Sequence, residues 1–200
     1  MTNPILLTAI IFALAYLIYN LAILARTRVP FVATPRKLLK KIAAALPIDA
    51  NTVLYDLGCG RGALLFATEK YGPKKLIGYE LSPLHVWYAK LKTLLTGSKI
   101  KINRVNFFSA DISNATLIYL FLVPSIVQKA WAKIQREAPP GTLVATLADA
   151  IRGARCIKQI TRHPGRANSR TTLRDARGMC RGGGVRRGVV IHADLVIVRR

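Results

Sequence analysis

Two hundred residues, 52% of them hydrophobic, allow one domain of ordinary size, a sizeable core and an additional segment. The three cysteines, Cys59, Cys156 and Cys180, form no CxxC pair, and the three histidines sit at no metal-ligand spacing, which excludes a zinc site and a disulfide framework. A net charge of +22 points to nucleic acid or an anionic membrane surface, but the charge is unevenly spread along the chain.

Residues 2–25, TNPILLTAIIFALAYLIYNLAILA, carry no charged side chain. From Ile5 to Ala25 is about 31 Å of helix, which matches a hydrocarbon core roughly 30 Å thick. A run that is apolar all round argues against a buried core helix. The absence of Lys and Arg from the first 25 residues argues against a cleaved signal peptide. The positive charges follow, at Arg26, Arg28, Arg36, Lys37, Lys40 and Lys41. The sequence therefore predicts a single-pass, uncleaved transmembrane anchor over 1–25 in the inner (cytoplasmic) membrane. Its short N-terminus lies outside and the rest of the chain faces the cytoplasm. The lipid bilayer is the first partner this implies.

A linker with two prolines, 26–35, leads to RKLLKKIAAAL (36–46). Leu38, Leu39, Ile42, Ala43 and Leu46 share one helical face there. That helix can pack on the domain and still offer its basic side to lipid head groups. Strands and helices then alternate. TVLYDL (52–57) reads as a strand, GALLFATEKY (62–71) as a helix and KLIGYE (75–80) as a strand. PLHVWYAKLKTLL (83–95) reads as a helix, IKINRVNFF (100–108) and TLIYLFL (116–122) as strands, PSIVQKAWAKIQREA (124–138) as a helix and TLVAT (142–146) as a strand. Pro83 and Pro124 sit where a first helical turn tolerates proline. The alternation predicts a parallel, doubly wound α/β sheet over 36–147.

The first strand runs into LYDLGCGRGALL (54–65). A strand–glycine loop–helix unit in such a sheet binds a nucleotide at the carboxyl end of the strand. Gly58, Gly60 and Ala63 satisfy the dinucleotide pattern GxGxxG/A, so NAD is one candidate. Asp56 tilts the choice, because a carboxylate at the strand tip suits a cation better than a pyrophosphate. Glu80 ends the second strand, where a carboxylate can accept from both ribose hydroxyls. S-adenosylmethionine has a ribose, a sulfonium and an ammonium group and no phosphate, so it fits an acid-lined loop better. Cys59 within the loop suits a reducing compartment.

VLYDLGCGRGALLFA resembles the first motif of class I S-adenosylmethionine-dependent methyltransferases, and IGYELSPL resembles the next. NFFSADIS followed by LIYLFLVP is similar to a narrower group. These are the membrane-anchored protein-lysine methyltransferases that modify the ATP synthase c-subunit and the adenine nucleotide translocator, together with their bacterial relatives. The resemblance covers roughly residues 1–146. It implies a Rossmann-like fold, S-adenosylmethionine as cofactor and a membrane-associated protein as substrate. It also implies roles for matching positions. Asp56, Gly58, Gly60 and Gly62 hold the methionyl part, Glu80 the ribose, and Leu81 lies beside the adenine. Asn106, taken as the end of the third strand, meets the adenine amino group, and Phe107 packs on the ring. The family often has Asp where this chain has Arg61, and Arg where it has Ala63. Arg61 then meets the cofactor carboxylate or points to solvent. Tyr119, Pro124 and Ser125, near the tip of the fourth strand, line the substrate side or serve only as strand core and helix start. No side chain is an obvious base.

From Ala148 the composition changes. Residues 1–147 hold 12 Lys and 6 Arg, whereas 148–200 hold 1 Lys, 12 Arg and 7 Gly with only 3 acids. Methyltransferases of this class continue from the fifth strand into a helix and a two-stranded hairpin. Here only GVVIHADLVIVRR at the end reads as a strand. Two readings stand: an Arg/Gly-rich tail that binds RNA or acidic lipid, or a tract translated in a shifted frame. The second predicts no ordered structure over 148–200 and a sheet that stops at 142–146 with a bare edge. The rival functions are an NAD-dependent oxidoreductase, from the GxGxxA pattern, and a non-enzymatic basic membrane protein with a degenerate fold.

Overall fold

A computed structural model of the chain describes residues 3–27, 34–147, 156–160, 171–172 and 195–199. The chain divides into two units, Met1–Ala33 and Thr34–Arg200.

In the first unit, α1 spans Pro4–Thr27. Pro4 opens it, and the Asn3 side chain accepts from the Ile5 N–H at 3.0 Å, which satisfies one of the free donors of the first turn. Its large apolar side chains, among them Ile5, Ile11, Phe12 and Leu17, are exposed. Among the described residues no helix is long and apolar enough to cross a membrane, so the transmembrane span expected over 1–25 is not borne out.

The second unit begins with α2 (Arg36–Ala45). Ile42, Ala43 and Leu46 are buried and the lysines face outward, so this helix packs on the domain as its periodicity predicted. Next come β1 (Val53–Leu57), α3 (Ala63–Thr68) with a 3-10 turn over Glu69–Tyr71, β2 (Lys75–Tyr79), α4 (Pro83–Thr96) and β3 (Lys101–Asn103). A further 3-10 turn, Phe107–Ser109, precedes β4 (Leu117–Leu120), α5 (Pro124–Glu137) and β5 (Leu143–Leu147). β1 and β4 are buried along their whole length, which is why they read as apolar runs without alternation.

The sheet order is β3-β2-β1-β4-β5-β8-β6-β7. The first five strands are parallel. One face carries the buried side chains of α2, α3 and α4, and the other carries Val127, Ala130, Trp131 and Ile134 of α5. Fully burying a side chain such as Leu54 or Ile134 contributes about 1.5–3 kcal/mol. This is the mixed α/β, Rossmann-like sheet the alternation predicted.

Two expectations fail here. The sheet does not stop at β5. β8 (Leu195–Arg199) pairs antiparallel with it from Leu143↔Arg199 to Leu147↔Leu195. β6 (Cys156–Ile160) pairs antiparallel with β8, and β7 (Thr171–Thr172) with β6. Ile197 and Val198 are buried, one in each core cluster, so the last apolar run covers the edge that was expected to be bare. β3 also stops at Asn103 rather than at 108. Its partner β2 ends at Tyr79, opposite Asn103, so the chain beyond has no strand to pair with on that side. The remaining expectations for the tail, including disorder and contact with nucleic acid, fall largely on residues outside the described ones.

Candidate cofactor site

The strand order reverses at β1, which has β2 on one side and β4 on the other. Crevices form at the carboxyl ends of such strands. The chain leaves β1 there in a turn with φ of 86° at Gly58, 53° at Gly60 and 72° at Gly62. Only glycine adopts these angles without strain. The N–H groups of Gly58 and Cys59 both donate to the Tyr79 carbonyl, at 2.9 and 3.0 Å, and the Gly62 N–H donates to the Cys59 carbonyl at 2.8 Å. A Cβ added at Gly58 would stand 3.0 Å from Leu122 Cδ2, so the cradle also depends on an absent side chain.

Glu80 braces this turn. Its Oε2 accepts from the Gly60 N–H and its Oε1 from the Ser82 N–H, each at 2.8 Å. Ser82 in turn caps α4, accepting from the His85 N–H at 3.4 Å. Each carboxylate oxygen has two acceptor sites, so one remains on each for a ribose hydroxyl. The sequence assigned Glu80 the ribose alone and gave no sign of the brace.

Asp56 is buried, one residue from the end of β1, in register with Tyr119 of β4. Among the described residues its carboxylate makes no hydrogen bond and no ion pair. Burial first, and the Glu80 charge second, push its pKa up to about 8. A buried carboxylate without a partner is costly, and a cationic group beside it would remove the cost. Burial, then Asp56, likewise raises the Tyr119 hydroxyl. Burial, then Asp56 and Glu80, raises the Cys59 thiol, which leaves Cys59 a packing residue rather than a nucleophile.

The Arg61 guanidinium lies over the Tyr88 ring, 5.2 Å from its centroid. Burial holds the His85 pKa down; Glu80 opposes this, and Arg61 adds the smallest contribution to the lowering. Neither His85 nor Tyr88 was singled out from the sequence. Their signal was position, three residues apart in the first turns of a helix that starts right after Glu80. Leu81 follows Glu80 and is partly exposed.

The expected end of the third strand needs correction. Asn106 does not end the third strand. That place belongs to Asn103, whose carbonyl accepts from the Glu80 N–H at 3.1 Å. The Asn106 side chain instead accepts from the Phe108 N–H at 3.0 Å, capping the 3-10 turn. Phe107 is buried in the core cluster that holds Tyr55, Leu57, Ile112 and Trp131. Its neighbour Phe108, with ring centroids 4.4 Å apart, is the more exposed ring. Pro124 and Ser125 are exposed at the start of α5.

A glycine cradle, an unpaired buried acid and a ribose-capable carboxylate fit S-adenosylmethionine. One consequence is a pH dependence. Asp56 must ionise to meet a cation, and its empty-site pKa is about 8. Affinity should therefore rise by roughly one decade per pH unit from pH 6 towards 8, with a proton released on binding, and level off above. Titration calorimetry with S-adenosylhomocysteine in buffers of different ionisation enthalpy checks both.

The family of the ANTKMT methyltransferase domain matches residues 56–157, from the buried acid of β1 into β6. The chain belongs to this family. It is an S-adenosylmethionine-dependent methyltransferase, which decides the glycine loop against NAD and against a degenerate fold. A protein-lysine N-methyltransferase of Saccharolobus islandicus is 33% identical over 129 residues, 62% of this chain and 80% of that protein. The adenine nucleotide translocase lysine N-methyltransferase of Mus musculus is 27% identical over 123 residues, 60% of this chain. The chain spans about half the length of that mouse relative (53%). Among solved structures, an RNA methyltransferase from Salinibacter ruber in complex with S-adenosyl-L-homocysteine superposes with a TM-score of 0.58 at 24% identity, covering 83% of this methyltransferase and 92% of that chain. That likeness concerns the fold.

Proposed function

We propose that this methyltransferase transfers a methyl group to lysine in a membrane-associated protein, and that it works at the cytoplasmic face of a membrane to which α1 attaches it. Three observations support the reading. Relatives at 33% and 27% identity carry lysine methyltransferase names, one of them for a translocase. The apolar side chains of α1 are exposed and need cover. Positive charge follows the apolar segment directly.

Asp56 and the turn Gly58–Gly62 would hold the charged methionyl part, Glu80 the ribose, and Leu81 and the Asn106–Phe108 turn the adenine side. S-adenosylmethionine, when bound, supplies an electrophilic methyl on a sulfonium. The chain has to bring a neutral lysine amine in line with it and keep water out. Burial of the lysine on entry favours loss of its proton. Tyr119 is no base, because burial and Asp56 keep its own proton in place. It can only orient the incoming group. The unpaired Asp56 carries the cofactor half of this reading, and the named relatives carry the lysine half.

The test is a transfer assay. The full chain is incubated with methyl-tritiated S-adenosylmethionine and a membrane fraction, and the labelled protein is hydrolysed to amino acids. Methyllysine is the expected product, with the chain retained on the membrane after an alkaline wash. Label recovered only as methylarginine, or only in RNA, would contradict the substrate class. Release by alkali would contradict attachment through α1.

A further inference from the structure

We propose that the outward face of α4 is a docking surface for an anionic lipid bilayer. The inward face, with His85, Val86 and Ala89, is buried against the domain. At 100° per residue the outward side gathers Leu84, Trp87, Tyr88, Leu91, Leu94 and Leu95 into one stripe. All six are exposed; Trp87 is 62% accessible, Leu94 78% and Leu95 76%. The side of the helix turned to solvent is thus apolar along its whole length.

Charge says what covers it. Lys90 and Lys92 flank the stripe on opposite sides. Residues 81–110, which hold α4, β3 and the turn after it, contain Lys90, Lys92, Lys99, Lys101 and Arg104 and no acid. An apolar stripe with Trp and Tyr, edged by lysines, is the pattern of a helix lying in a membrane interface, with its cations among the head groups. A second copy of the chain would bring five like charges against five. The Glu80 brace starts α4, and Arg61 stacks on Tyr88 within the stripe. A bilayer held on this face would therefore keep the cofactor crevice at the membrane surface. The proposal goes beyond attachment through α1 and does not rest on it.

Trp131 is buried and Trp87 exposed, and these are the chain's two tryptophans. The experiment uses the full chain carrying Trp131→Phe, mixed with phosphatidylcholine vesicles whose acyl chains are brominated, with and without phosphatidylglycerol. If Trp131→Phe does not fold, the native chain serves, with buried Trp131 as a constant background. Expected is quenching of Trp87 on the anionic vesicles, weakened roughly ten-fold or more in Leu94→Glu/Leu95→Glu and in Lys90→Glu/Lys92→Glu. Unfolding should be unchanged in the leucine pair, whose side chains are exposed; Lys92 is partly buried with its ammonium 3.9 Å from the centroid of the Phe66 ring, so the lysine pair is compared at matched folded fraction. Unquenched Trp87 on vesicles that the chain still binds would overturn the proposal and leave α1 as the sole attachment. A Trp87 blue shift that depends on protein concentration without lipid would overturn it in favour of a second copy.

Discussion

Asp56→Asn should weaken cofactor binding by roughly 100-fold or more, about 3 kcal/mol, because a charged hydrogen-bonding partner is lost inside a buried site. The same substitution should stabilise the empty protein. Among the described residues Asp56 has no partner for its charge, and its pKa of about 8 means that the folded state resists ionising it. The sign follows from proton counts. Between the unfolded value near 4 and the folded value near 8, the native state holds the extra proton, so the stability of the empty protein falls as pH rises through that window. Asparagine removes the dependence. Its benefit should be largest near pH 9 and small near pH 5, read as the difference in thermal unfolding midpoint between the two proteins. A variant that loses cofactor and stability together at pH 9 would mean that Asp56 has a structural partner.

Gly78→Ala should have the other large effect, on stability first and on binding through it. Gly78 lies in the middle of β2, in register with Asp56. A Cβ there would stand 2.6 Å from Cys59 Sγ and 2.9 Å from both Ile102 Cδ1 and Leu65 Cδ1. All three neighbours belong to one buried cluster, so they have little room to move. Overpacking of this kind costs about 1–3 kcal/mol. Relief by pushing Cys59 upward would shift the Gly58–Gly60 turn and break the Gly60 bond to Glu80. Urea unfolding should show the loss, and Cys59→Ala in the same chain should return part of it. An unchanged urea midpoint would show that the turn does not rest on Gly78.

Most elements were legible because their signals were local. Pro83 and Pro124 mark the starts of α4 and α5, and the uninterrupted apolar runs of β1 and β4 follow from burial on both faces. β3 reads too long in the sequence because its apolar and aromatic run continues to Phe108 while its partner β2 ends at Tyr79. The error moved Asn106 and Phe107 onto a strand tip they do not occupy. Asp56 and the loop glycines were found because a strand tip and a positive-φ turn have sequence signatures. The Glu80 brace, the fit of Cys59 over Gly78 and the stacking of Arg61 on Tyr88 join residues 19 to 27 positions apart and have none. The pairing of β8 with β5 crosses the arginine-rich tract. Its apolar run was visible, but its partner was not.

The most direct test of the account is calorimetric titration of the full chain with S-adenosylhomocysteine and with NAD, followed by the same titrations on Asp56→Asn. Expected are one site for S-adenosylhomocysteine, proton release near neutral pH, no heat from NAD, and binding lost in the variant. Tight NAD binding that S-adenosylhomocysteine does not displace, or cofactor affinity untouched by Asp56→Asn, would contradict it.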